Sequence, residues 1–264
     1  MANPRTDCRT HAEKTVLVDA HCHILHPLFD KDREEVIQAA LTDGVIVVAC
    51  ALGEEEAEKA ALIAANYPNV RWTLGVEPTQ LDEKRIIAFE SALRKHHTEI
   101  LAVGEIGLDH YWTKKKEEHA KQEENFRRFL SIAEELKRPV VIHSRDAEED
   151  CVRIVGEYGV SALYHCFSGT VEQADRIVCR GDLISIPCSV AYSKSKQDLA
   201  AHVPLENIVL ETDAPFLAPT PKTRNEPKNV SVAAQKIAEI KGITFENTAK
   251  ATTKNALRFF NNGV

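Results

Sequence analysis

The strongest constraint on the fold of this chain is an alternation that runs almost its whole length. Short apolar runs rich in Val and Ile are each followed by a helical pattern. The runs are Val16–His23, Val45–Ala51, Val70–Val76, Ile100–Ile106, Val140–Ser144, Ala162–Phe167, Leu183–Cys188 and Ile208–Thr212. Many are near-continuous in apolar residues, as parallel strands buried on both faces are. Between them, Glu117–Leu136 carries Phe126, Phe129, Leu130, Ala133 and Leu136 on one stripe, and Lys137-Arg138-Pro139 provides its stop. Further helical patterns cover Glu54–Ala65, Ile86–Lys95, Glu172–Cys179 and Val232–Ile240. Eight strand signals with intervening helices in 264 residues predict an α/β chain folded as one (β/α)8 barrel over residues 15–264. A doubly wound open sheet competes, but neither Gly-x-Gly-x-x-Gly nor Gly-x-x-x-x-Gly-Lys is present. The Pro-rich stretch Pro215–Pro227 reads as an excursion over the barrel mouth, and Glu246–Phe260 as a helix that seals the wall.

Composition narrows the partners. The chain is 44% apolar, enough for a large core, and no run is long enough to span a membrane. Met1–Lys14 lacks the apolar centre of a secretory signal and reads as a mobile tail. The net charge of −7 argues against broad phosphate neutralisation. A nucleic acid substrate would be held by a local patch or by bound cations. The seven cysteines, Cys8, Cys22, Cys50, Cys151, Cys166, Cys179 and Cys188, include no Cys-x-x-Cys pair. Their odd count and scatter fit a reducing cytoplasm better than a disulfide framework or a thiolate zinc knot. A monomer or small oligomer is expected.

In such barrels the chemistry sits at the carboxyl ends of the strands. The first run ends in Val18-Asp19-Ala20-His21-Cys22-His23. Strand alternation puts His21 and His23 on one face, with Asp19 on that face one position further in. The fourth run ends in Glu105-Ile106-Gly107-Leu108-Asp109, the fifth in His143-Ser144-Arg145-Asp146, the sixth in His165-Cys166-Phe167 and the eighth in Glu211-Thr212-Asp213. His21, His23, Glu105, His143, His165 and Asp213 could therefore converge on the mouth. Such a crowd of imidazoles and carboxylates is costly without a cation. Six ligands exceed one tetrahedral zinc with an open position. They suit two divalent cations roughly 3.5–4 Å apart, an arrangement that hydrolyses phosphate esters. The all-N/O donor set excludes a soft thiolate site; it permits Zn, Mn, Fe or Co, and with more water in the shell, Mg.

These motifs, with Arg224-Asn225-Glu226-Pro227 and Thr252-Thr253-Lys254-Asn255-Ala256, resemble the TatD family of metal-dependent deoxyribonucleases, within the amidohydrolase-like barrels. The resemblance runs from Val18 to about Phe260. It implies a mononuclear or binuclear site, with His21, His23 and Asp213 on one metal, His143 and His165 on the other, and Glu105 between or beside both. It also implies hydrolysis of DNA phosphodiesters, in several members as 3′-exonucleases, with D-aminoacyl-tRNA hydrolysis as a related activity. One departure stands out. The third strand of many relatives ends in Gly-x-His-Pro-His, and here it reads Gly75-Val76-Glu77-Pro78-Thr79.

The expected mechanism is attack on phosphorus by a metal-activated water, with two divalent ions drawn from Zn, Mg or Mn. Asp213 accepts the proton of that water, and Asp213 and Glu105 are the expected catalytic carboxylates. Asp19 and Asp109 are candidates to orient the histidines. Arg145, Tyr111, Trp112 and Arg224 are candidate substrate contacts, for DNA ends or single strands. Lys114, Lys115 and Lys116 read as a solvated helix start. His11, His26, His96, His97, His119 and His202 read as ordinary residues away from the mouth. An ester or amide hydrolase on the same metal site, such as a D-aminoacyl-tRNA deacylase, is the alternative.

Overall fold

All eight strands are parallel and pair in chain order. The computed structural model describes residues 15–260, so the expected tail Met1–Lys14, with Cys8 and His11, lies outside the described residues. The strands are β1 (Leu17–Cys22), β2 (Val45–Leu52), β3 (Val70–Gly75), β4 (Val103–Asp109), β5 (Val140–Arg145), β6 (Ala162–Tyr164), β7 (Leu183–Pro187) and β8 (Ile208–Glu211). The alternating helices are α1 (Arg33–Thr42), α2 (Glu54–Asn66), α3 (Glu83–His96), α4 (Lys116–Glu135), α5 (Glu148–Val155), α6 (Val171–Cys179), α7 (Lys194–His202) and α8 (Val230–Lys241), followed by α9 (Phe245–Phe259). This is the (β/α)8 barrel that the alternation predicts.

The barrel closes where β8 meets β1. The Asp213 N–H donates to the His21 carbonyl at 3.0 Å and the His23 N–H to the Ala214 carbonyl at 2.7 Å. Just below, the Asp19 carboxylate accepts from the Thr212 N–H at 2.7 Å and from the Thr212 hydroxyl at 2.6 Å. Both residues are fully buried.

Two apolar layers follow from the strand period. Val18, Ala20, Val48, Val141, Leu163, Leu183 and Val209 fill the barrel interior with Ala256, Phe259 and Phe260 from the end of α9. Leu17, Val45, Val47, Val103, Ile106, Val140 and Ile142 pack outward with the helices. The expectation that the last helix seals the wall needs correction. Thr253 bonds to the Val16 carbonyl, and Asn255 to the carbonyls of Leu205 and Ile208. Val16 and Ile208 lie at strand starts and Leu205 in the turn just before β8, so α9 closes the floor.

Two bulges break the alternation. Three steps on β1, from Asp19 to Cys22, match two on β2, from Val47 to Ala49. Two steps on β4, from Gly104 to Ile106, match one on β5. A bulge re-aims side chains at the rim of a barrel. Here the β1 bulge sends Asp19 to the β8 seam and His21 into the mouth. The expectation that both share one face is overturned. β4 also begins and ends three residues later than the apolar run suggests.

Candidate metal centre

The mouth is a cavity of about 1100 Å3 at the carboxyl ends of the strands. At its floor the six predicted ligands come together. The Glu105 carboxylate oxygen Oε2 lies 2.8 Å from His165 Nε2, 3.4 Å from His21 Nε2 and 3.7 Å from His143 Nδ1. His21 Nε2 lies 3.3 Å from His23 Nε2, and Asp213 Oδ1 lies 3.7 and 3.4 Å from these two nitrogens. His143 Nδ1 faces His165 Nε2 at 3.1 Å.

The local backbone makes this possible. Gly75 allows β3 to approach β4, because a Cβ there would lie 2.2 Å from the main-chain N and O of Glu105. Gly107 has a φ of 153°, and a Cβ there would meet the His143 carbonyl at 1.9 Å. Asp213 adopts a left-handed φ of 54°, a conformation that a short polar side chain tolerates better than most. Its N–H bond across the seam holds it there.

The electrostatics are those of a carboxylate buried among imidazoles. Glu105 is only 6% exposed, and its Oε2 makes no hydrogen bond of acceptable geometry despite three nearby nitrogens. Burial pushes its carboxyl up, but His165, His143 and His21 outweigh this and hold it well below the usual range. Burial and the neighbouring His165 lower His21 to about 4. Burial also opposes charge on His23 and His143. The Asp213 carboxylate nevertheless raises His23 to about 9, and Asp109 with Glu105 raises His143 to about 10. Donor atoms 3.3–3.4 Å apart match the edge of a zinc tetrahedron, about 3.3 Å for bonds near 2.0–2.1 Å. The trios His21, His165, Asp213 and Glu105, His143, His165, and the group His21, His23, Cys50, Glu105, each offer donor atoms within 4.8 Å of one another and could hold a divalent ion.

Around this floor, Asp109 Oδ2 contacts His143 Nε2 at 3.0 Å. Asp109 is itself fixed by the Trp112 N–H and the Gln122 side chain. Asp19 orients no histidine ring; it is the seam acceptor. Arg145 lines the mouth and lies over the Tyr111 ring at 3.8 Å and the Trp112 ring at 5.5 Å. Trp112 is 69% exposed at the rim, whereas Tyr111 sits behind Arg145.

Arg224 does not line the mouth. Its guanidinium pairs with Asp32 at 2.6 and 2.8 Å and with Glu226 at 3.1 Å, pinning the Pro-rich loop to the segment before α1. His26, read as ordinary, does border the mouth and packs against Phe216. Lys114, Lys115 and Lys116 are absent from the lining.

Sequence reasoning missed two buried groups. Lys196, in the first turn of α7, donates to the Cys166 and Phe167 carbonyls and to Ser168 Oγ, fixing the loop after His165. Glu211 lies beneath Asp213, accepts from the Ser185 hydroxyl, and is pushed up to about 7, foremost by burial. Its place two residues before Asp213 on an inward face was the one available signal. Nothing in the sequence marks Lys196.

Comparison with known proteins agrees with this geometry. The TatD related DNase family profile matches residues 18–261. An uncharacterised metal-dependent hydrolase of Methanocaldococcus jannaschii is 39% identical over 245 residues, covering 92% of this chain and 96% of that protein. Deoxyribonuclease TATDN3 of Homo sapiens is 35% identical over 258 residues, covering 92% and 94%. The crystal structure of a TatD homologue from Escherichia coli has a TM-score of 0.85 at 26% identity, covering 93% of this chain and 98% of that one. With match and barrel coextensive, the chain belongs to the TatD family of metal-dependent hydrolases.

Proposed function

We propose that this chain hydrolyses DNA phosphodiester bonds at 3′ ends or in single strands, using two divalent cations. His21, His23 and Asp213 would hold one ion, His143 and His165 the other, and Glu105 both. The observation that carries the reading is the buried Glu105 oxygen set among three imidazole nitrogens without a hydrogen bond. The lining supports it too. Glu77, Glu105, Asp109 and Asp213 line it beside Arg145, Lys196 and the histidines, and bound cations would supply the further positive charge that a polyanion favours. Zn, Mg and Mn all suit the donors.

Bound cations there supply a lowered water pKa and a polarised phosphate oxygen. The chain's residues do the rest. Asp213 takes the proton as the water oxygen bonds to phosphorus. The bond to the 3′-oxygen breaks, and that oxygen takes a proton from solvent. Asp109 keeps the His143 ring oriented. Arg145 offsets charge on the phosphate, and Trp112 offers a face for a terminal base. The free thiols among the described cysteines support a reducing, cytoplasmic setting.

A second reading draws on Glu77 and Thr79, both lining the mouth. A carboxylate there suits a substrate bearing an ammonium group, as an aminoacyl ester of tRNA does. The test is digestion of 3′-labelled single-stranded DNA by metal-stripped protein re-supplied with Mg, Mn or Zn, beside Asp213→Asn. Metal-dependent loss of label in the wild type alone supports the nuclease. Intact DNA together with D-aminoacyl-tRNA hydrolysis transfers the activity to the ester.

A further inference from the structure

We propose that Cys50 is a thiolate ligand to the ion held by His21 and His23, making this position selective for zinc-like ions over magnesium. The proposal rests on the metal-site reading above and deepens it. Cys50 lies two residues beyond the inward Val48 on β2, and so on the same face of the strand. Its sulfur and one donor atom each of His21, His23 and Glu105 lie within 4.8 Å of one another. A thiolate beside imidazole and carboxylate donors is a mixture that zinc takes.

The contacts of the sulfur set it apart. The thiols of Cys22, Cys151 and Cys188 donate to main-chain carbonyls. Cys50 also reaches a carbonyl, that of Gly104 at 3.6 Å, but its sulfur in addition accepts the N–H of Glu105 at 3.3 Å. That N–H is the main-chain donor of Glu105, the residue whose carboxylate is shared by both halves of the site. The second pointer is the buried Oε2 of Glu105, which lies 3.4 Å from His21 Nε2 and makes no hydrogen bond of acceptable geometry. A purely oxygen and nitrogen floor would leave magnesium and manganese competitive. A sulfur ligand shifts the balance to softer ions. On ligation the metal–sulfur bond would form, the S–H bond break and its proton leave to solvent, so one extra proton would be released per chain when that ion binds.

The experiment is titration of the metal-stripped full chain with Co(II), read as near-ultraviolet absorption, where thiolate-to-cobalt charge transfer appears. Wild type is expected to show the band at the first equivalent. Cys50→Ser and Cys50→Ala should lose it while still binding Co(II) through the histidines, and Cys166→Ser should keep it. Zn(II) affinity should fall at least about 10-fold in the Cys50 variants, with Mg(II) affinity unchanged. Stoichiometric Co(II) without the band in wild type overturns the thiolate ligand and leaves the metal site standing. No Co(II) uptake overturns the metal site and the ligand together. Because the wild-type spectrum is decisive, misfolded variants would not rescue the proposal.

Discussion

Asp19→Ala tests whether the barrel seam carries the site. The substitution removes both acceptors of the Thr212 N–H and hydroxyl, leaving two donors in a fully buried position. Leaving a buried donor without its acceptor costs about 1–3 kcal/mol, so the gross loss for two is about 2–6 kcal/mol. Relief of a buried carboxylate offsets part of it, and a net loss of about 3–5 kcal/mol follows. In a chain of this size that lowers Tm by roughly 6–20 °C. Asn keeps one acceptor for the N–H and can donate to the hydroxyl oxygen, so Asp19→Asn should cost only about 1–2 kcal/mol. The pH dependence sharpens the test. Burial, foremost, and the nearby Glu211 push the Asp19 carboxyl well up. Its favourable contribution is therefore complete below the ordinary carboxylate range and declines as pH rises through the raised value. The gap between wild type and Asp19→Asn should narrow as pH rises. Urea unfolding of metal-stripped protein gives the energies, and calorimetric Mn(II) titration reports whether His21 and Asp213 still meet. A loss below about 1 kcal/mol in Asp19→Ala would refute the seam argument.

Asp213→Asn should lower kcat about 10²–10⁴-fold with little change in single-strand binding, measured by single-turnover digestion and filter binding. Wild-type turnover in the metal-replete variant would remove Asp213 as the base. Metal affinity should rise with pH, by up to about tenfold per unit for each proton displaced. His23 near 9 and His143 near 10 are protonated in the metal-free form at neutral pH, and both must shed that proton to ligate. A flat calorimetric profile would contradict the assignment. Trp112→Ala should weaken binding of single strands by about 5- to 150-fold, the worth of one stacked base, without changing metal content. Gly75→Ala should reduce bound metal per chain, because the added Cβ overlaps the Glu105 main chain at 2.2 Å. Full metal content by elemental analysis would show that β4 can yield.

The barrel was legible because parallel strands buried on both faces leave apolar runs that need no context to recognise. The helices missed, α1, α5 and α7, lack that property. α5 spans only Glu148–Val155, and α7 (Lys194–His202) buries a lysine beside Leu199 and Ala200. A rule that equates buried with apolar passes over Lys196, whose ammonium is satisfied by a loop roughly 30 residues away in sequence. Arg224 failed in the opposite sense. Its motif suggests substrate, but Asp32, almost 200 residues earlier, claims the guanidinium. Ion pairs of such separation leave no local trace.

The site was legible for a different reason from the fold, and the bulges separate the two. Strict alternation along β1 puts Asp19, His21 and His23 on one face. The structure sends Asp19 to the seam and keeps only the histidines in the mouth. Alternation along β4 is broken at the same level, between Gly104 and Ile106, where Glu105 enters. Periodicity therefore fails at two of the strands that supply donors. The chemistry of the residues survives that failure. Four imidazoles and two carboxylates at the ends of strands in one barrel must share a mouth whatever the exact register. Glu105 Oε2 sits among His21, His143 and His165 with no hydrogen bond of acceptable geometry. The same logic limits what sequence could say of Cys50. A thiol at the end of an apolar run reads as core until a bulged neighbour presents its N–H to the sulfur, and only spatial proximity makes it a candidate ligand.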